Sequence, residues 1–289
     1  MAVTARPGTT AASLRGVHPA KRAAMILTGL FFTFWTLGPI YWILATSVKT
    51  ELQVYREASL VPTTISFKSY DTILFHSNFL MYMKNSFEVA TATTVLSMLF
   101  GTISAYALAR LRFNGRRVLI RSIVVSYLVP GGLLFISLFE ILTELGLTDS
   151  LEGLILTYLS FTLPFCTWLM IGYFRSIPVE LEEAALVDGC NRLGALRHVI
   201  LPLTLPALVV VALFSFTGAW NEFLYALIFI NRDSLKTFTV GLIGLIQGDT
   251  LPWGPMMAAA SLGMIPPIIV YVVSQRWVVS GLAAGSVKG

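Results

Sequence analysis

The sequence is poor in charge, cysteine and histidine. Only 12% of its 289 residues are charged, whereas 56% are hydrophobic, and soluble domains carry about twice that share of charge. Such a composition is the reverse of a disordered chain, and a soluble globule could not bury so much apolar surface. Two cysteines are too few for a disulfide scaffold. The composition therefore indicates an integral membrane protein with several spans.

Recognisable catalytic and nucleotide-binding motifs are also missing. The chain has no H-E-x-x-H, no G-x-S-x-G and no Gly-rich P-loop. None of its three histidines pairs with another at metal-ligand spacing. Glu140 and Glu222 are carboxylates within the predicted apolar runs, and an intramembrane dyad of the two is the one enzymatic alternative. We expect no catalytic residue, no metal site and no cofactor in this chain.

Hydropathy predicts an all-α protein with six transmembrane helices, because each span needs about 20 mostly apolar residues. The predicted spans are 23–47, 85–109, 118–143, 153–174, 203–230 and 256–279. Tails at 1–22 and 280–289 flank this domain of residues 23–279. A cleaved signal peptide is the alternative for the start, but the first apolar run is longer than the about 7–15 residues of a signal core. We expect the first span to be retained.

Basic residues indicate how the spans are oriented. In this topology, 14 of the 20 Lys and Arg residues lie on the side of the two termini and six lie on the other. Because cytoplasmic loops carry the excess of Lys and Arg, both termini are predicted to be cytoplasmic. Membrane topology thus explains the net positive charge, and we expect membrane lipid rather than nucleic acid as a partner.

The predicted cytoplasmic loop 175–202 is more polar than its surroundings and is expected to form two short helices. Pro178 suits a first helical position, Gly189 suits a left-handed C-terminal cap, and Asn191 suits the cap of the second helix. One face of the first helix carries Ile177, Leu181, Ala184, Ala185 and Asp188. Such a small-residue face either docks into the groove of a partner or belongs to a helix that merely connects two spans.

Spacing within this loop resembles the EAA signature of bacterial ABC-importer permeases. Glu183-Ala184-Ala185 is followed after three residues by Gly189 and, nine residues later, by Val199-Ile200-Leu201-Pro202. The signature has Ile where this chain has Val199, which is a conservative difference. The loop also lies between two late spans on the predicted cytoplasmic side, as in that family.

Three further segments resemble the MalG-like permeases of carbohydrate importers. They are Trp220-Asn221-Glu222-Phe223, the run Ala105-Tyr106-Ala107-Leu108-Ala109-Arg110 with Phe113 and Gly115, and the end from Gln275-Arg276-Trp277 through Gly281-Leu282 to Gly285-Ser286-Val287-Lys288-Gly289. The resemblance implies a type I ABC-importer permease fold. It also implies an assembly with a second, MalF-like permease subunit, an ATPase dimer and an extracytoplasmic solute-binding protein. ATP and Mg²⁺ would then be bound by the ATPase.

The resemblance assigns roles to individual residues. Glu183, Ala184, Ala185 and Gly189 would form the ATPase coupling contact and its turn, and Leu201 and Pro202 would begin the fifth span. For Gly189 and Pro202 the alternative is simple helix punctuation. The tail is either an ATPase contact or a frayed end, and it comprises Ser286, Val287, Lys288 and Gly289.

Polar residues in the spans and the outer loops are further candidates. Trp220, Asn221 and Glu222 either line the translocation path, where Asn and Glu can bind sugar hydroxyls and Trp can stack on a sugar ring, or pack against the partner permease. Glu140 has the same two alternatives, since an intramembrane carboxylate normally faces protein or water. The expected contacts with the binding protein are Asp249, Trp253 and Gly254.

Three other functions stay open. The EAA loop alone would also allow an importer permease for an amino acid, phosphate or a metal. A channel or secondary transporter without an ATPase would be expected to show inverted repeats and discontinuous helices with coupling-ion carboxylates. The sequence shows no convincing internal repeat, and its candidate carboxylates are the two glutamates Glu140 and Glu222. A membrane scaffold without a transport role would leave the EAA spacing unexplained.

Overall fold

The computed structural model describes residues 19–56, 59–246 and 251–286, and helices make up most of them. Within these ranges the sole β pairing is one bridge between Lys49 and Ile65. In the first half the helices are α1 (Pro19–Ser47), α2 (Glu51–Arg56), α3 (Lys68–Phe75), α4 (Phe79–Arg110), α5 (Arg116–Leu128), α6 (Phe135–Glu144) and α7 (Leu151–Ser176). In the second half they are α8 (Val179–Val187), α9 (Arg192–Ala195), α10 (Leu201–Leu203), α11 (Leu205–Asn221), α12 (Leu224–Phe229), α13 (Phe238–Ile243), α14 (Trp253–Gly263) and α15 (Ile265–Ser286).

Among the residues that the structure describes, four stretches are long and apolar enough to cross a membrane. They are Ala20–Ser47, Phe79–Arg110, Leu151–Ser176 and Trp253–Trp277. A fifth candidate is the pair Arg192–Leu203 and Leu205–Asn221, whose halves meet at an angle of 79°. By length and composition the described residues thus contain four or five spans, and the six-span topology with cytoplasmic termini stays a prediction.

The predicted third span, 118–143, is not one continuous helix. α5 ends at Leu128, and α6 begins only at Phe135 after a single 3₁₀ turn. Pro130 explains the break, because proline lacks a backbone N–H and holds the preceding residue in an extended conformation. Gly131 and Gly132 add the weakest helix propensity after proline. The hydropathy of this segment does not reveal the helix break, although the proline and the two glycines do.

The predicted fifth span, 203–230, is also interrupted. α11 ends at Asn221, the backbone at Glu222 is extended, and α12 starts at Leu224. Such irregular backbone is tolerated at membrane depth only where protein or water satisfies its polar groups. Here the freed carbonyl of Glu222 accepts a hydrogen bond from the Thr239 hydroxyl at 2.8 Å.

Close packing of α4 along α7 forms the centre of the bundle. A Cβ on Gly101 would lie 2.5 Å from the Sγ of Cys166, so only glycine allows this approach. Nearby, the hydroxyls of Ser97 and Thr162 hydrogen-bond across the two helices at 2.6 Å. Small residues and interhelical hydroxyl bonds are the usual means of helix association in membranes. Cys166, which is fully buried, is therefore a packing residue of this helix pair.

α1 lies apart from this centre and exposes its apolar side chains. Phe34 and Trp35, for example, are 78% and 71% exposed. Its main packing partner within the chain is α14. A helix this apolar needs lipid or another subunit around it.

Candidate coupling site

α8 carries the EAA residues and stands directly after the long helix α7. Ile177 is extended, and Pro178 precedes the helix as its N-cap residue, with φ −55° and ψ 135°. The sequence predicts Pro178 as the first helical residue, whereas in the structure it stands one position before the helix. The difference follows from the extended backbone on both sides of the Ile177–Pro178 bond, which separates α7 from α8.

Gly189 ends the motif in the left-handed conformation, as the sequence predicts. Its φ is +90°, and its N–H donates to the carbonyl of Leu186 at 3.2 Å. The next N–H, of Cys190, donates to the carbonyl of Ala185 at 3.0 Å. These bonds satisfy carbonyls that the helix end would otherwise leave free. The predicted cap at Asn191 is also confirmed, because its side chain accepts from the N–H of Gly194 at 2.7 Å.

The surface of α8 divides its EAA residues between two sides. Glu183 and Ala184 are exposed, and Val187 is 87% exposed. Ala185, in contrast, is buried in the chain itself. The prediction that Ala184 and Ala185 present one common docking face is therefore wrong, since consecutive residues lie about 100° apart around a helix. The outward patch of α8 consists of Glu183, Ala184 and Val187.

A buried carboxylate on the opposite side of α8 was not predicted. Glu182 Oε2 lies 3.2 Å from Nε of Arg110, and both side chains are only 6% exposed. The Tyr106 hydroxyl donates to Oε1 of the same carboxylate at 2.5 Å. Tyr106 and Arg110 are one turn apart on α4, and this i, i+4 spacing was the available signal. The sequence showed both residues only as part of the run that resembles MalG-like permeases.

Leu201 and Pro202 lie where the chain turns from the loop into the bundle. A π-helical segment, Leu196–Ile200, leads into α10, and α11 follows after Thr204. The Thr204 hydroxyl donates to the carbonyls of Ile200 and Leu201. Proline at the start of a helix needs no hydrogen bond to its nitrogen. The two residues therefore belong to a helical bend of 79° rather than to a straight start of the fifth span.

Trp220 does not line an open path in this chain. Its residue exposure is 1%, and its ring stacks on Phe216 and Phe238 at centroid distances of 5.8 and 5.0 Å. The indole Nε1–H donates to the carbonyl of Gly263 at 3.1 Å. Both alternatives for Trp220, the translocation path and the contact with a partner permease, are therefore corrected. The side chain packs inside its own subunit.

The other intramembrane candidates differ in exposure. Glu222 is half-buried, and its carboxylate accepts from the N–H groups of Tyr225 and Ala226 at 3.0 and 3.2 Å. It therefore caps α12, which explains how a carboxylate is accommodated at a helix break. Asn221 and Glu140 are exposed on this chain, so both are free to face a path or a second subunit.

The outer candidates also differ from one another. Trp253 is the first residue of α14 and is 41% exposed. Gly254 is buried, and a Cβ there would lie 2.7 Å from the Ser69 hydroxyl. Gly254 thus serves the packing of α14 on α3 and is not available as a binding-protein contact. Outside the described residues lie Asp249, Val287, Lys288 and Gly289; Ser286 is the last residue of α15.

Two carboxylates fasten the loops on the predicted outer side. Hydrogen bonds from the backbone N–H groups of Arg232 and Asn231, together with the Arg232 guanidinium, hold the pKa of Asp149 below its usual value. The ammonium of Lys236 and the hydroxyl of Tyr82 lower the pKa of Asp233 in the same way. Both groups therefore stay ionised and anchor the segment that follows α12.

Comparison with known proteins identifies the family. Residues 97–283 match the family described as binding-protein-dependent transport system inner membrane component, which is well over half of the chain. The chain belongs to this family. Its fold is accordingly the all-helical fold of ABC-importer permeases, and it is a protein of the inner membrane. The matched residues include α8 and its EAA sequence.

Individual family members extend the similarity over nearly the whole chain. The sulfoquinovosyl glycerol transport system permease protein SmoH of Agrobacterium fabrum is 38% identical over 92% of this chain and 91% of its own. The trehalose/maltose transport system permease protein MalG of Thermococcus litoralis is 33% identical over 93% and 98%. A chain of a bacterial ABC transporter that imports alginate superposes with a TM-score of 0.79 at 26% identity, covering 91% and 99%. The resemblance to MalG-like permeases is thus confirmed.

Proposed function

We propose that this chain is a permease subunit of an ATP-driven, binding-protein-dependent importer for a sugar, either an oligosaccharide, a disaccharide or a polyol. The observation that supports coupling to an ATPase is the outward patch of α8. It is a short, well-capped helix end that exposes the Glu and the first Ala of the EAA sequence. A helix of this kind fits the groove of a partner.

The sugar is inferred from the relatives. The names of the two permeases compared above specify a glycosylated glycerol and two disaccharides, and the solved transporter imports an acidic polysaccharide. All of these solutes contain glycosidic bonds. Family membership alone would also allow an amino acid, phosphate or metal importer, so the solute needs its own test.

The proposed mechanism is alternating access driven from outside the chain. ATP and Mg²⁺ bind to a separate ATPase dimer, whose closure moves α8 and rocks the membrane helices as rigid bodies. A second, MalF-like permease subunit completes the path, and a solute-binding protein delivers the sugar at the outer side. ATP hydrolysis is not a reaction of this subunit.

A tagged pull-down tests the assembly. The chain, expressed in its own host and extracted in mild detergent, should retain an ATPase, a second permease and a solute-binding protein, identified by mass spectrometry. Recovery of a stable homo-oligomer alone would contradict the proposal and favour a channel or secondary transporter.

The co-purified binding protein then tests the solute. Its thermal stability is measured against a panel of disaccharides, oligosaccharides, polyols, amino acids and phosphate, because a ligand that binds only the folded state raises the melting temperature. Stabilisation by an amino acid or phosphate, and not by any sugar, would leave the coupling proposal intact and overturn the carbohydrate assignment.

A further inference from the structure

The buried side of α8 is fastened to α4 by three side-chain interactions. Glu182 accepts from the Tyr106 hydroxyl at 2.5 Å and pairs with Arg110 at 3.2 Å. The same guanidinium donates through Nη2 to the carbonyl of Ile177 at 2.9 Å. Arg110 therefore holds both the first turn of α8 and the residue that links α8 to α7.

Burial makes this joint stiff. The Arg110 and Glu182 side chains are each 6% exposed, and Tyr106 is 7% exposed. A buried charge without its partner is strongly unfavourable, so neither group can leave the other without a large cost. The tyrosine and the arginine also approach the carboxylate from successive turns of α4, which fixes the rotation of α8 as well as its position.

α4 is well placed to carry a displacement into the bundle. Its 32 residues extend from the joint to the predicted outer side, and it packs along α7 and α11. If α8 were loosely attached to α4, a movement of α8 would be lost at the attachment point. A buried ion pair with a second hydrogen bond is the kind of attachment that transmits it.

We propose that Tyr106, Arg110 and Glu182 form a joint that makes α8 and α4 move as one rigid body. They are positioning residues: they are buried in the chain, so they do not touch the ATPase, whereas the neighbouring Glu183 faces outward. The role in transport rests on the proposed function of α8, but the rigidity of the joint is a property of this chain alone.

The test measures a distance between α8 and α4 with paired spin labels. One label is attached to Cys190, whose backbone N–H bonds to α8, and the other to a Val95→Cys substitution on an exposed position of α4. Cys166 is fully buried and should stay unlabelled. Position 95 lies about 22 Å along the helix from the joint, so a rotation there becomes a measurable shift.

In the assembly purified with its own partners, the distance should stay narrow and unchanged when nucleotide is trapped with vanadate. Glu182→Gln should broaden the distribution at least twofold and shift it on trapping, and Tyr106→Phe should do so less. Glu180→Gln, which alters an exposed carboxylate two residues earlier in the same helix, is the matched control and should match the wild type.

Two outcomes would overturn the joint. One is a wild-type distance that changes on trapping, and the other is a Glu182→Gln distribution as narrow as that of the wild type. If Glu182→Gln does not accumulate, Arg110→Lys and Tyr106→Phe provide the same comparison with smaller changes. Failure to recover any ATPase with the wild type would instead contradict the proposed function, and the width of the nucleotide-free distribution would still test the joint.

Discussion

Replacing Gly189 tests the proposed coupling role of α8 most directly. The residue has φ +90°, and the left-handed region costs a residue with a Cβ about 1–2 kcal/mol. No atom lies within 4 Å of the position that a Cβ would take, so backbone conformation is the sole penalty for Gly189→Ala. A loss of about 1–2 kcal/mol lowers the ratio of capped to frayed α8 by roughly 5- to 30-fold.

The substitutions should fall into an order set by the backbone. Asn adopts the left-handed region more readily than Ala, so uptake should fall in the order Gly, Asn, Ala. Pro should be the most severe, because its φ stays near −65° and it loses the N–H that donates to Leu186. Uptake of the sugar identified with the binding protein is measured in cells, and the amount of inserted subunit by immunoblot of the membrane fraction.

The matched control is Gly172→Ala. Gly172 lies inside α7, where a Cβ would also meet nothing within 4 Å, but its conformation is helical. Alanine there should be neutral or slightly stabilising. Normal uptake by Gly189→Pro, at normal insertion, would refute the proposed role of α8. Equal losses at Gly172 and Gly189 would show that the effect is not specific to the left-handed cap.

Three further predictions concern other parts of the chain. Trp220→Phe keeps the ring stack but leaves the Gly263 carbonyl unpaired, which should cost about 1–3 kcal/mol of stability. The melting temperature should fall and the apparent affinity for sugar should stay the same. A changed affinity would place Trp220 in the translocation path. The lowered pKa of Asp149 implies stability that is present above the ordinary carboxyl value near 3.9 and lost as the pH falls through the lowered value. Asp149→Asn should remove this part of the pH dependence of the melting temperature in the acidic range. If the melting temperature of the variant depends on pH as that of the wild type does, Asp149 is not an anchor of this kind. An impermeant maleimide should label Cys190 only from the cytoplasmic side, and a cysteine at Lys288 found accessible from outside would overturn the six-span topology.

The class of fold, the C-terminal end of α8 and the start of α9 could be predicted from local sequence alone. Composition requires membrane helices, and the φ of Gly189 and the cap at Asn191 depend on interactions within a few residues. The continuity of the spans could not be predicted in the same way, because a hydropathy window averages over Pro130 and its neighbours. Glu222 shows the same limit: hydropathy marks it as an unfavourable charge in a span, whereas it caps a helix that starts two residues later.

Burial of polar side chains was the least predictable feature, because it depends on which helices meet. Glu182 and Glu183 have the same chemistry and adjacent positions, so composition and spacing treat them alike. About 100° of helical rotation separates them, which turns one carboxylate towards Arg110 and the other towards solvent. In the proposed role, α8 contacts an ATPase on one side and transmits its movement on the other, and this role needs the two environments back to back. Consecutive glutamates provide them at no cost in helix length, provided that α4 presents a cation and a hydroxyl one turn apart.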